Sequence, residues 1–272
     1  MSAPKVSVII PVYNGEETIE KCVASVLGQS FRDIEVLAVD DGSRDSSLSL
    51  LTRLAQTDSR LCLLRKANGG VASARNLAIN QARGQYLFFA DSDDDLPPGA
   101  LERLVAAMEQ PQCDMVIAPY NEVVGSLSVQ RGFLAQNQML TQLQFLDHLS
   151  EYPNSFFYAV LWNKLYRRDL IIKNSIRCDD RLPWGEDFAF NTLYYRYVRN
   201  VATLEEPVYN YNRNLSGLAL STARGCVLHP FFSIKVKYWL QRYYNQLFVE
   251  TGLYAAYRKV LPQYMFKITI NR

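Results

Sequence analysis

Three carboxylate clusters stand out, because they sit beside residues that bend a chain and two of them end apolar runs. Asp91-Ser92-Asp93 closes the run Gln85-Tyr86-Leu87-Phe88-Phe89-Ala90, and the acidity continues through Asp94 and Asp95. Two carboxylates one residue apart can offer hard oxygen ligands to one divalent cation and still leave positions for phosphate oxygens. A cation held that way neutralises a departing diphosphate as a Lewis acid. The pair is weak by itself, since a solvated acidic turn before a helix has the same composition. Asp40-Asp41-Gly42-Ser43 ends another apolar run. Its residue types suit a turn capping the next helix, and equally a carboxylate that accepts from a nucleobase N–H. The third cluster, Trp184-Gly185-Glu186-Asp187, lies far downstream. Transfer to a hydroxyl needs a general base, and neither His148 nor His229 has a neighbouring acid that would make a catalytic pair. That leaves a carboxylate, against the plain alternative of an acidic first turn of a helix.

Two further groups could handle a ligand. Asn68-Gly69-Gly70 followed by Ala74-Arg75-Asn76 puts a flexible turn before a helix start, where backbone N–H groups can face phosphate and Arg75 stands one turn in. It is neither a G-x-G-x-x-G fingerprint nor a P-loop, which argues against a dinucleotide enzyme or an NTPase. Trp162-Asn163-Lys164 could give a sugar an aromatic platform with polar neighbours, although a buried core tryptophan is the commoner fate.

The elements that must position these residues can be read from periodicity. Apolar, β-branched-rich runs at 6–12, 34–39, 61–64, 86–90 and 114–118 predict strands. Between them lie helical patterns: one opened by Glu16-Glu17 with Ile19, Cys22, Val23, Val26 and Leu27 on one face, one from near Ser46, and one over 99–109. Strands alternating with helices predict an α/β fold with a mostly parallel, doubly wound sheet. In such sheets ligands bind beyond the carboxyl ends of strands, and that is where Asp40/Asp41 and Asp91/Asp93 fall. After residue 120 the alternation fades: 125–150 reads as mainly helical, and 156–213 is rich in Tyr, Trp, Arg and Asn. The predicted division is therefore a Rossmann-like alternating half over 1–120, to which the resemblance given below assigns the nucleotide-sugar, a second half over 121–225, to which it assigns acceptor and base, and a helical C-terminal extension over 226–272.

Bulk properties narrow the class. A chain of 272 residues can bury a substantial core, and a net charge of +2 gives no reason to expect a nucleic-acid partner. From Cys226 onward, however, seven Lys/Arg face one acid, Glu250. Five dispersed cysteines predict free thiols in a reducing compartment, and the first strand starts too early for a signal peptide. The expected location is cytoplasmic.

Taken in order, VSVIIPVYNGEETIEKCVASVLGQSF, IEVLAVDDGSRD, NGGVASARNLAI, GQYLFFADSDD and WGEDFAFN resemble the GT-A-fold glycosyltransferases of family 2, which invert at the anomeric carbon. The likeness covers the first 110 residues almost continuously, then one island near 184–191. It implies that Pro11, Val12 and Tyr13 line the base and ribose pocket, with Tyr13 stacking on uracil, and that Asp41 accepts from the base with Asp40 in support. Glu16, Asn68, Gly70 and Ser92 complete the donor-binding set, and Arg75 lies near the diphosphate. Asp93 is implied as the principal ligand of Mn²⁺ or Mg²⁺ with Asp91 beside it, Asp187 as the base, and Glu186, Trp162, Asn163, Lys164 and Trp184 on the acceptor side. The implied donor is a UDP-sugar, and the acceptor a glycan or lipid-linked glycan.

Two rivals stay open. A nucleotidyltransferase would want a glycine-rich, basic loop after the first strand, where Tyr13-Asn14-Gly15-Glu16-Glu17 is acidic. A non-catalytic sugar-nucleotide-binding relative would have no reason to keep Asp41, Asp93 and Asp187 together. Within the tail, 231–248 mixes aromatics with Lys235, Lys237 and Arg242, which predicts either peripheral contact with an anionic membrane or a packed helical lobe. The segment 210–221 is expected to be a mobile loop over the donor, and nothing promotes His229 to a metal ligand.

Overall fold

The computed structural model describes residues 3–132, 134, 137–152, 155–213 and 230–258, the last of these without side chains for 230–235. Its elements are, in chain order, β1 (Val6–Val12), α1 (Ile19–Leu27), β2 (Ile34–Asp40), α2 (Ser47–Thr57), β3 (Leu61–Arg65), α3 (Val71–Gln81), β4 (Tyr86–Phe89) and α4 (Ala100–Met108). Then come β5 (Met115–Ile117), β6 (Tyr120–Val124), β7 (Leu127–Arg131), β8 (Met139–Thr141), α5 (Gln142–Glu151), α6 (Phe156–Ala159), β9 (Lys164–Arg167) and α7 (Arg168–Lys173). The last are α8 (Glu186–Tyr195), β10 (Asn200–Thr203), β11 (Asn210–Asn212), α9 (Pro230–Glu250) and α10 (Tyr254–Tyr257).

Among the described residues, eight strands form one sheet in the order β3-β2-β1-β4-β9-β5-β10-β8. The first four are parallel, as are β5 and β10, while β9 and β8 run antiparallel to their neighbours. β1 and β2 are buried at every position because helices cover both faces, which is why their sequences are apolar runs and not alternations. A second sheet, β11-β6-β7, stands beside the carboxyl end of β4 through the bridge between Asp95 and Asn210.

The expected boundary at residue 120 does not divide this sheet. β9, from the downstream half, pairs with both β4 and β5 and so locks the two halves into one layer. The helical expectation for 125–150 also needs correction. Among the described residues of that segment only those from 142 on are helix, and β6 and β7 form a hairpin turned at Gly125, whose φ of +60° is easy for glycine. The helix start was written in the sequence: Thr141 and Gln144 form a reciprocal capping box.

At the N-terminal end of the sheet a polar knot closes the core. Buried Glu35 accepts from Ser7 Oγ at 2.6 Å, from the Arg83 N–H at 2.7 Å, and from the Arg83 guanidinium at 2.8 and 2.9 Å. Ser7 in turn accepts from the Gly84 N–H at 2.8 Å. Gly84 is required there, since a Cβ would sit 2.5 Å from the Ser7 nitrogen. Burial pushes the Glu35 carboxyl upward, but these hydrogen bonds and the Arg83 charge outweigh it and hold the pKa below the ordinary value.

The C-terminal helix resolves one of the two expectations for the tail in structural terms. Val236, Leu240, Tyr244, Leu247 and Phe248 recur at helical spacing, and all are buried. They turn toward α8, where Tyr244 stacks on Phe188 and Leu240 lies over Gly185. The apolar stripe of α9 is thus covered by the protein itself. No described helix is long and apolar enough to cross a membrane.

Candidate active site

Two of the three acid clusters meet at the carboxyl end of the sheet, and a single buried arginine shows how. Arg75, projecting from α3 and 3% exposed, donates through Nη2 to Asp91 at 2.8 Å and through Nη1 to Glu186 at 3.0 Å and to Asp187. Asp91 follows β4 and Glu186-Asp187 open α8, so residues 96 positions apart share one guanidinium. Three carboxylates against one cation leave a surplus of negative charge. Burial, opposed by Arg75 and reinforced by Glu186 and Asp91, pushes the Asp187 carboxyl well above the ordinary range. Its side chain remains about 20% exposed, so a substrate can reach it.

Asp93 is exposed, while Asp94 is buried. Partial burial and the neighbouring Asp91 raise Asp93, and burial together with Asp91 and Asp93 pushes Asp94 up to about 9. Asp95 goes the other way: burial raises it, but Asn210, Asn212 and Lys21 outweigh that and lower it. β11 grips this acidic run. The Asn212 N–H donates to Asp94 at 2.7 Å, Asn212 Nδ2 to Asp95 at 2.9 Å, and Asn210 Nδ2 to Asp95 at 2.7 Å. The Asp91 N–H donates to the Tyr209 hydroxyl at 2.9 Å. These contacts span more than 110 positions, and the only trace in the sequence is the alternation Tyr209-Asn210-Tyr211-Asn212. The first part of the expected mobile loop is therefore a strand. Its continuation, 214–221, lies outside the described residues, as does His229.

Asp91 and Asp93 suit a divalent cation. Among the described residues no group of three His, Cys, Asp or Glu is arranged to enclose a metal. Two carboxylates beside a crowded acidic run are nonetheless what an ion sharing its shell with phosphate oxygens and water needs.

At the end of β2 both acids are buried. Asp41 is 2% exposed and accepts from Lys66 Nζ at 2.6 Å, the Gly69 N–H at 3.0 Å, the Gly70 N–H at 2.8 Å and Asn68 Nδ2 at 3.3 Å. Four donors already engage this carboxylate, so a base would have to displace one of them. Asn68 and Gly70 hold Asp41 in this structure. Asp40, also buried, accepts from the Ser43 N–H at 3.2 Å, and its Oδ2 has no hydrogen-bond partner. Pro11 and Val12 are buried in β1, and Tyr13 just beyond them is 46% exposed. Glu16 is occupied at the start of α2, accepting from the Ser46 N–H at 2.9 Å. Ser92 is half-buried beside Gly15.

The acceptor-side expectation fails for three residues. Trp162, Asn163 and Lys164 are 2%, 0% and 0% exposed and offer no surface to a glycan. Trp162 is stacked on Tyr209 at 4.4 Å between ring centres, with Tyr120 against its edge. Trp184, at the start of the α8 region, is half-buried against the core. A cleft of ≈ 350 Å³ opens elsewhere, near the N-terminal end of β1, lined by Lys5, Arg83, Arg167 and Arg168 among others. None of the sequence-predicted site residues reaches it.

With this geometry in hand, the comparisons with known proteins are direct. Residues 7–174 match the profile described as Glycosyl transferase family 2. The chain is 35% identical over 216 residues to the uncharacterized glycosyltransferase EpsJ of Bacillus subtilis, covering 79% of this chain and 63% of EpsJ. It superimposes on S. aureus TarS in complex with UDP-GlcNAc with a TM-score of 0.74 and 25% identity, over 96% of this chain and 71% of that one. The mannosyltransferase PcManGT of Pyrobaculum calidifontis, solved with GDP-Man and Mn²⁺, shares the fold with a TM-score of 0.59 and 17% identity, over 97% of this chain and 74% of that one. The chain belongs to glycosyl transferase family 2 and has the GT-A fold. It spans about 63% of the length of EpsJ.

Proposed function

We propose that this protein transfers a sugar from a nucleotide-sugar, with UDP as the nucleotide, to a hydroxyl of a glycan or lipid-linked glycan, inverting the anomeric centre. The observation that carries this reading is the bridge made by Arg75, which brings a strand-end acid of the D-x-D pair and the α8 acids to one place. Tyr13, exposed at the end of β1, stacks on the base, and Asp41 accepts from the base with Asp40 in support. Asp91 and Asp93 would hold Mn²⁺ or Mg²⁺, which when bound supplies charge neutralisation to the departing diphosphate. Asp187 takes the proton from the attacking hydroxyl at its carboxylate, and Glu186 orients the acceptor. One displacement with attacker and leaving group on opposite sides turns an α-linked donor into a β-linked product.

The test is release of UDP from UDP-Gal, UDP-Glc, UDP-GlcNAc and UDP-GalNAc with and without Mn²⁺, followed by the Asp93→Ala and Asp187→Ala variants. Both variants are expected to lose transfer, and only Asp93→Ala to weaken metal-dependent donor binding greatly. Unchanged transfer in Asp187→Ala removes the base assignment. The exposed Tyr238, Arg242 and Val249 of α9 leave room for contact with an anionic membrane. Flotation with anionic vesicles of the intact chain and a chain ended near 225 tests that; equal binding removes it.

A further inference from the structure

The buried Trp162-Asn163-Lys164 segment, displaced from the acceptor role, has polar atoms that must do something else. Lys164 is fully buried, and its described hydrogen-bond partners are neutral oxygens and not carboxylates. Its Nζ donates to the carbonyls of Phe157 and Val160 and to Asn163 Oδ1. Asn163 Nδ2 donates to the carbonyls of Phe157 and Ala118 at 3.0 and 3.2 Å. Phe157 and Val160 belong to α6 and its C-terminal end, and the carbonyls at that end receive a second set of donors from α8. Asn191 of α8 donates to Ala159 at 2.7 Å and to Val160 at 3.1 Å, and accepts from the Tyr166 hydroxyl of β9 at 2.8 Å.

The position of Asn191 gives this network a direction. Residues 187, 191 and 194 fall on one stripe of α8 at helical spacing. Tyr194 on that stripe accepts from the Arg167 N–H at 2.8 Å and donates to the Asp114 carbonyl at 2.7 Å. The stripe that carries Asp187 is thus fastened to β9 and to the end of α6 by side-chain hydrogen bonds, both anchors fully buried. β9 also pairs with β4, the strand that runs into Asp91. An apolar stripe would bury α8 as well, but would let it slide or rotate among similar packings; directional bonds allow one register.

We infer that Lys164, Asn163 and Asn191 are positioning residues: they fix the register of α8 against β9 and α6, and so set where the Asp187 carboxylate stands relative to Asp91. The inference rests on the reading of Asp187 as base. A displacement of about 1 Å at such a carboxylate costs on the order of 100-fold in rate.

The experiment uses Asn191→Leu, Lys164→Met, Asp187→Asn and the double variants with Asp187→Asn in the full chain. Hydrogen–deuterium exchange of the peptide covering 184–195 is expected to quicken in Asn191→Leu and Lys164→Met while peptides of β1 and β2 stay protected. With the UDP-sugar accepted in the donor screen, the turnover number is expected to fall about tenfold or more with the donor KM within twofold, and UDP binding by calorimetry to be unchanged. In the Asp187→Asn background neither substitution should lower turnover further, because a misplaced base that has already been removed costs nothing more. Unchanged exchange at 184–195, loss of protection spread over the whole sheet, or full additivity with Asp187→Asn would overturn the inference. Full activity of Asp187→Asn alone would instead overturn the base reading, while the exchange result would still report on the α8 register.

Discussion

The two ends of the main sheet treat buried acids in opposite ways. At the N-terminal end Glu35 has one arginine, one hydroxyl and one backbone N–H to itself, and its carboxyl is held low. At the carboxyl end one arginine is divided among Asp91, Glu186 and Asp187, while Asp93 and Asp94 sit in a run of like charge and are pushed up. The first arrangement stabilises a fold. The second leaves like charges crowded around one guanidinium, and carboxyls perturbed in that way cluster at functional sites more than at structural ion pairs.

The largest test of this contrast is Asp187→Asn. Turnover should drop roughly 10²–10⁴-fold, as for loss of a general base, while the melting temperature should hold or rise because a like charge has gone. A clear loss of stability would make Asp187 a structural acid like Glu35. Next, Arg75→Met strands three carboxylates around an apolar chain and should cost about 3–5 kcal/mol in urea unfolding at neutral pH, the range for breaking a buried pair. Divalent cation should restore part of that loss; no effect of Mn²⁺ on the variant's stability would count against a cation site at the acids.

Glu35→Gln should cost less, about 1–3 kcal/mol at pH 7, because a neutral amide cannot satisfy the Arg83 fork. The sign of its pH dependence is fixed. Glu35 has a folded pKa below its unfolded value of about 4.3, so its contribution is present above that pH and disappears as pH falls through the folded value. The gap between wild type and variant should therefore begin to narrow as pH falls below about 4.3, and a gap that stays constant until the protein unfolds in acid would refute the assignment. The smallest effect belongs to the exposed face of β7. Leu127→Ser, at a position 71% exposed beside the turn of the β6–β7 hairpin, should change stability by no more than about 0.5 kcal/mol and leave UDP binding intact.

Much of the scaffold was legible because its signals are local. An apolar run such as Val6–Val12 must be buried on both faces, whatever it packs on, and acids following such runs must emerge at strand ends. The same rule misplaced Trp162-Asn163-Lys164. A tryptophan and a lysine look available in sequence, and only the layer formed by β4, β9 and β5 puts them inside. Nor does anything local tell that the Lys66–Gly70 loop folds back onto Asp41, while Asp40 beside it is fully buried with Arg65 Nε 4.0 Å away.

The sequence by itself determined the alternation of strands and helices, the acids at strand ends, and membership of a family, because each of these is carried by neighbours along the chain. The tertiary structure decided which acids share a cation, which of them a loop has already satisfied, and which helix face is fastened to the sheet. Those depend on contacts across about 100 positions, such as Arg75 with Asp187 or Asn212 with Asp94, and distance along a chain carries no information about approach in space until the sheet order is known.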